Sequence, residues 1–257
     1  MRFIDTHSHL YLPEFDNDRR DAVQRAIDSG VNKILLPNID SSSIQAMNQM
    51  TTEYPGICHS MIGLHPTSVK EDYKKELEIV ERELRSGTYC AIGEIGIDLY
   101  WDKTFLPQQK KALRIQFEWS LAYNLPVVIH ARNSFAEILS VLEIFKGKGL
   151  KGIFHAFSGD VETAKAVTSQ GFLLGVGGMI TYKNSLLPKV IKEMPVECLV
   201  LETDSPYLSP VPYRGKRNES SYIPVIAQVI HDIKNIPLEE VASVTTNNAE
   251  RLFRISD

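Results

Sequence analysis

The chain contains eight short apolar runs that do not alternate with polar residues, separated by polar turns and stretches of helical period. A strand with one face in solvent alternates apolar and polar residues. Runs that are apolar throughout are therefore read as strands buried on both faces, as in parallel sheets covered by helices. The runs are residues 2–6, 33–37, 59–64, 91–97, 127–130, 153–157, 172–176 and 199–203. Helical stretches lie between them at 19–29 before Gly30, 107–123 before Leu125-Pro126, and 136–146 before Gly147, and two more follow the eighth run. Eight such strands alternating with helices predict a closed TIM-type (β/α)8 barrel with one extra C-terminal helix, in a single domain over residues 1–257. The alternative is a doubly wound open sheet. Its usual cue, a GxGxxG turn after the first strand, is absent, and Gly175-Val176-Gly177-Gly178 ends strand seven without phosphate-loop spacing.

A length of 257 residues suits a barrel, and 43% hydrophobic with 23% charged residues excludes a disordered or fibrous chain. No apolar run approaches the ~20 residues of a membrane helix, and the first residues lack a signal-peptide pattern, so a cytoplasmic protein without a membrane partner is expected. A net charge of −4 excludes binding nucleic acid chiefly through a basic surface, but not an enzyme that grips a few phosphates. Cys58, Cys90 and Cys198 form no CxxC pair and begin or precede strands three, four and eight. They are expected as reduced, buried small hydrophobes near the rim away from the chemistry.

Barrels of this type build their active sites at the C-terminal ends of the strands. There the runs give His7 and His9 after strand one, His65 at strand three, Glu94 at strand four, His130 at strand five, His155 at strand six and Asp204 at strand eight. His7 and His9 flank Ser8, so in an extended segment both imidazoles face the same way. Four histidines and two carboxylates exceed the ligands of one catalytic zinc, and two divalent cations fit the count better. Glu94 stands mid-series, where its two oxygens can bridge both ions.

Six segments carry a family resemblance over nearly the whole length. They are Phe3-Ile4-Asp5-Thr6-His7-Ser8-His9-Leu10, Ile62-Gly63-Leu64-His65-Pro66, Ala91-Ile92-Gly93-Glu94-Ile95-Gly96-Ile97-Asp98, Val128-Ile129-His130-Ala131-Arg132, His155-Ala156-Phe157-Ser158-Gly159 and Leu201-Glu202-Thr203-Asp204-Ser205-Pro206. The chain resembles the TatD family of metal-dependent deoxyribonucleases, within the amidohydrolase-like barrels. The resemblance implies a divalent-metal site made by His7, His9, Glu94, His130, His155 and Asp204, and hydrolysis of DNA phosphodiesters, often from the 3′ end. Departures at Ile97, Leu99-Tyr100, Ala156 and Ser220 leave all six positions filled and bear only on the substrate groove.

The expected chemistry is two ions, Mg, Mn or Zn, activating a shared water and stabilising a phosphorane-like transition state. Asp204 either serves as general base or only ligates, and Glu94 completes the catalytic pair. His65, surplus to the six, is read as a donor to the scissile phosphate. Arg132 is a bidentate phosphate clamp or a loop-bracing salt bridge, and Tyr100 and Trp101 stack a terminal base or pack their loop. Arg214, with Lys216 and Arg217, forms a basic cluster that attracts a phosphate backbone or is simply solvated. Asp98 and Glu202 are expected to orient histidines rather than bind metal, and His59 and His231 to be structural. The substrate expected is single-stranded or terminal DNA, with no obligate protein partner implied. A small-molecule amidohydrolase or esterase is the alternative, disfavoured by Glu94 where such enzymes tend to carry a carboxylated Lys, and a scaffold without turnover ranks last.

Overall fold

A computed structural model describes residues 1–255. Its first half runs β1 (Phe3–Asp5), α1 (Arg19–Asp28), β2 (Val31–Leu36), α2 (Ile44–Glu53), β3 (Cys58–Ser60), α3 (Tyr73–Ser86), β4 (Ile92–Asp98) and α4 (Leu106–Tyr123). The second runs β5 (Val127–Arg132), α5 (Phe135–Leu142), β6 (Gly152–Phe154), α6 (Val161–Thr168), β7 (Phe172–Val176), α7 (Leu187–Glu193), β8 (Leu199–Leu201), α8 (Ile223–Lys234) and α9 (Leu238–Phe253). The eight strands are all parallel and form two arcs, β1-β2-β3 and β4-β5-β6-β7-β8. Isolated bridges Ser8↔Ser205 and Ile62↔Ile92 join the arcs into a TIM-type barrel.

Strands one, three, six and eight are shorter than their apolar runs. Past Ser60 the ladder thins to single backbone bonds at Met61 and Ile62, and beyond Ile62 side chains take over: Asn38 Nδ2 donates to the Gly63 carbonyl at 2.7 Å, and Leu64 N–H to Gln116 Oε1 at 2.7 Å. The predicted helix 136–146 is α5 followed by a 3₁₀ turn, Glu143–Phe145.

Inside the barrel, Ile4, Leu35, Met61, Ala91, Val128, Ile153 and Val200 form one buried layer, with Leu173 packed against it. Ala249, Leu252 and Phe253 of α9 belong to the same cluster. This helix lies under the N-terminal ends of β1 and β8, where Thr246 Oγ1 donates to the Arg2 carbonyl and Asn248 Nδ2 to those of Glu197 and Leu199. The far larger apolar cluster fills the space between the strands and the helical ring. Cys58 is buried, and desolvation pushes its thiol up to about 12. Cys90 and Cys198 are only half-buried rather than buried as expected, because Cys90 lies two residues before β4 and Cys198 ends the 3₁₀ turn Val196–Cys198 just before β8, at the edge of the packed strands. Among the described residues no helix is long and apolar enough to cross a membrane.

The long loop after β8 is fastened to α1 by a charge network. Arg217 forms a bidentate pair with Asp18 at 2.6 and 2.8 Å, while Arg25 pairs with Glu219 at 2.7 and 2.9 Å and with Asp18 at 2.9 Å. Hydrogen bonds from Arg217, then Arg25, hold the Asp18 carboxyl well below its ordinary range. A carboxyl depressed by folding contributes stability above its unfolded pKa of ~4, and that contribution is lost as pH falls through the folded value. Stability should therefore decline from about pH 4 downward. Asp18→Asn should remove about 1 kcal/mol at neutral pH and flatten this decline, the magnitude being limited by partial exposure. Urea midpoints at pH 3, 4 and 7 check it, and parallel pH profiles for the two proteins would exclude it.

Candidate metal centre

The ends of six strands and the loops beyond them bring seven ionisable side chains together. His7 and His9 follow β1, His155 directly follows β6, and Asp204 stands in the loop beyond β8. His65 lies in the loop past β3 rather than at a strand end, and caps the 3₁₀ turn Pro66–Ser68. Glu94 and His130 are within their strands instead of ending them. The register of β4 on β5 slips by one residue between Ile92 and Ile95, a bulge that contains Glu94 and re-aims its side chain. Two residues on, Gly96 has φ 151°, and a Cβ there would strike the His130 carbonyl, so only glycine lets β4 pass His130 this closely.

Glu94 is the hub. Its Oε2 lies 3.1 Å from His7 Nε2 and 3.6 Å from His9 Nε2, while Oε1 lies 2.7 Å from His155 Nε2, 2.9 Å from His130 Nδ1 and 3.3 Å from His65 Nε2. Asp204 Oδ1 faces His9 Nε2 at 3.5 Å and His7 Nε2 at 3.7 Å. Burial alone would raise the Glu94 carboxyl, but the imidazoles of His155, His65, His7 and His130 hold it well below its ordinary value. Burial likewise opposes ionisation of Asp204, and His9, His155 and His7 outweigh it. Ring nitrogens approach one another at 3.3 Å (His7 to His9) and 3.4 Å (His155 to His130), spacings at which only a shared proton or a cation relieves lone-pair repulsion. Three overlapping groups have metal-site spacing: His7/His9/Glu94, His7/His155/Asp204 and His65/Glu94/His130. This donor set of imidazole and carboxylate suits divalent cations.

Surrounding residues decide which nitrogen offers a lone pair. Tyr11 Oη donates to the Pro37 carbonyl at 2.7 Å and so is free to accept from His9 Nδ1 at 3.0 Å, leaving the His9 Nε2 lone pair for a cation. Glu202 accepts from the Ala156 N–H and lies 3.7 Å from His155 Nδ1, where it favours the proton on that nitrogen and the lone pair on Nε2. The Glu202 carboxylate fits there because Gly175 has no Cβ. Asp98 Oδ2 contacts His130 Nε2 at 2.9 Å. His65 is the reverse case. Its Nδ1 accepts the Thr67 N–H at 3.1 Å, so the neutral ring carries its proton on Nε2, facing the cluster as a donor.

The outer residues divide between two sides of the rim. The Arg132 guanidinium stacks 3.8 Å from the Tyr100 ring and 5.5 Å from Trp101, whose exposures are 53% and 74%, and Arg132 makes no ion pair among the described residues. Arg214 stacks on Tyr182 at 4.5 Å, exposed on the β8 side with Lys216, whereas Arg217 is occupied by Asp18 and does not join them in a free basic cluster. His231 bonds the Ile236 carbonyl, and His59 stays remote from the cluster. Sequence reasoning missed Tyr11, Thr67 and Tyr207. Tyr207, in the loop after β8, is 49% exposed with its ring 6.3 Å from that of His9. The spacing of two in His7–His9–Tyr11 was the available signal for Tyr11.

Fold and centre together define a metal-dependent hydrolase on a (β/α)8 barrel. The chain belongs to the family described as TatD related DNase, whose model matches residues 4–254. It is 37% identical over 254 residues to YabD of Bacillus subtilis, an uncharacterized metal-dependent hydrolase, covering 98% of this chain and 99% of that one. YjjV of Escherichia coli K12, also an uncharacterized metal-dependent hydrolase, is 31% identical over 259 residues, with 99% and 98% covered. The crystal structure of YjjV, a TatD homolog, superposes with a TM-score of 0.92 at 30% identity over 99% of both chains. A TatD family hydrolase from Entamoeba histolytica shares the fold with a TM-score of 0.84 at 24% identity, over 100% of this chain and 99% of that one.

The tautomer of His65 is open to direct test. Burial lowers its pKa, so the ring is neutral at pH 7, and long-range ¹⁵N–¹H correlation on the metal-free protein should find Nε2 protonated and Nδ1 bare. A protonated Nδ1 would contradict the donor geometry.

Proposed function

We propose that the chain hydrolyses DNA phosphodiester bonds at single-stranded or frayed ends, from the 3′ end, using two divalent cations held by His7, His9, Glu94, His130, His155 and Asp204. The observation that carries this reading is the division of Glu94: one oxygen faces the His7/His9 pair and the other the His130/His155 pair. A carboxylate with a separate imidazole pair at each oxygen suits a bridge between two ions. When bound, such ions, Mg, Mn or Zn, supply an activated water at neutral pH and neutralise charge on the phosphoryl group.

The residues of the chain do the rest. Asp204, a carboxylate kept ionised beside the cluster, accepts the proton of the attacking water, and Glu94 stays anionic between the two imidazole pairs. His65 donates its Nε2–H to a non-bridging phosphate oxygen. Arg132, stacked rather than paired with an acid, keeps its N–H edges available for a bidentate grip on phosphate. Tyr100 and Trp101 receive the terminal base, Tyr207 stands beside His9, and Arg214 draws the backbone toward the β8 rim. Family membership supports the choice of DNA.

The test uses EDTA-stripped protein, Mg²⁺ or Mn²⁺ restored, and single-stranded DNA labelled at either end. Metal-dependent loss of the 3′ label is expected, slowed about 10²–10⁴-fold in kcat by Asp204→Asn. Loss of the 5′ label first would reverse the polarity alone. No cleavage by protein shown to bind two ions would sink the DNA assignment and bring forward a small-ester or amide hydrolase. Separately, Tyr100→Ala should raise KM with kcat retained, by an amount matching the ~1–3 kcal/mol of a stacked base, and Arg132→Ala should raise KM through the lost phosphate contact. An unchanged KM on oligonucleotides would remove these residues from the substrate path.

A further inference from the structure

Asp204 belongs to no strand and sits in left-handed backbone with φ 58°, a conformation unfavourable for a non-glycine residue that persists only where its surroundings impose it. On one side, Asp204 N–H donates to the His7 carbonyl at 2.8 Å, and Thr203 is tied to Asp5 through its N–H at 3.0 Å and its Oγ1 at 2.6 Å. On the other side Ser205 accepts the His9 N–H at 2.7 Å and meets Ser8 Oγ at 2.7 Å, the Tyr207 N–H donates to the Asp204 carbonyl at 2.8 Å, and one side-chain amide from the far end of the loop ties both flanks together. Asn218 is fully buried, and its Nδ2 donates to the Thr203 carbonyl at 2.7 Å and the Tyr207 carbonyl at 2.6 Å, the two flanks of Asp204. Its backbone N–H closes on the Pro206 carbonyl at 3.0 Å, and its Oδ1 accepts the N–H of Glu219 at 2.9 Å. Glu219 in turn is anchored to α1 through Arg25.

We propose that Asn218 is a positioning residue that sets Asp204 for cation binding by clamping the backbone on both sides of it. This rests on the reading of Asp204 as a ligand. The clamp needs two N–H donors on one short side chain. Aspartate would present an acceptor to two carbonyls, serine retains a single donor, and alanine strands two carbonyls without partners. Outer partners of metal ligands typically change metal affinity about 10–100-fold, which is the scale expected here.

The experiment is calorimetric titration of Mn²⁺ into EDTA-stripped wild type, Asn218→Asp, Asn218→Ser, Asp204→Asn and the Asn218→Ser/Asp204→Asn double variant, with thermal unfolding recorded on each. Both Asn218 variants should bind one Mn²⁺ about 10–100-fold more weakly, and the double variant should bind no more weakly than Asp204→Asn alone. A residue of general structural importance lowers the melting temperature but adds its loss in affinity to that of Asp204→Asn. Additive losses, or affinities indistinguishable from wild type in folded Asn218→Ser, overturn the proposal, as does failure of both Asn218 variants to fold. If Asp204→Asn itself leaves Mn²⁺ binding unchanged, the ligand reading falls and the clamp with it.

Discussion

A carboxylate buried at the mouth of an apolar barrel is stable only with compensating charge around it, and the upper half of this molecule is organised to provide that for Glu94. Five imidazoles approach its two oxygens from four other strands and their loops. Burial and the neighbouring His155 lower the pKa of His7, while for His155 burial is outweighed by Glu94 and Glu202, which raise its pKa. Cations and protons therefore compete for one set of lone pairs, which couples metal loading to pH.

The two ends of the barrel divide the labour. Below the buried layer, α9 packs Leu252 and Phe253 against the strands and leaves no ionisable cluster of metal-site spacing among the described residues. Above it, glycines make room for function: Gly96 admits His130, and Gly175 admits the Glu202 carboxylate behind His155. Packing that would stabilise a core is given up at these positions so that polar groups reach the mouth.

Much of this was legible in the sequence. Eight doubly buried strands announced themselves by apolar runs without alternation, and β7 coincides with its run because nothing interrupts its ladder. The cluster of His7, His9, Glu94, His130, His155 and Asp204 could be assembled from strand order alone. What could not be read were features created by non-local hydrogen bonds. His65 was found, but its direction of donation depends on the Thr67 backbone. Tyr11 matters through the Pro37 carbonyl, and Asn218 through carbonyls far back in its own loop. Arg217 looked like a free cation because its partner Asp18 lies at the other end of the chain.

The seam between β1 and β8 also joins the two ends of the described chain into one cluster. Thr6 N–H and Oγ1 both bond the Leu201 carbonyl, and Ser8 faces Ser205 across the isolated bridge. The first strand thus has no neighbour on that side until the eighth has been made, and the helix that stoppers the barrel is later still. His7 and His9 precede Asp204, the carboxylate they face, by about 200 positions in the chain. Any stretch of the chain that ends before Asp204 therefore carries the two histidines that follow β1 without the carboxylate that faces them across the seam.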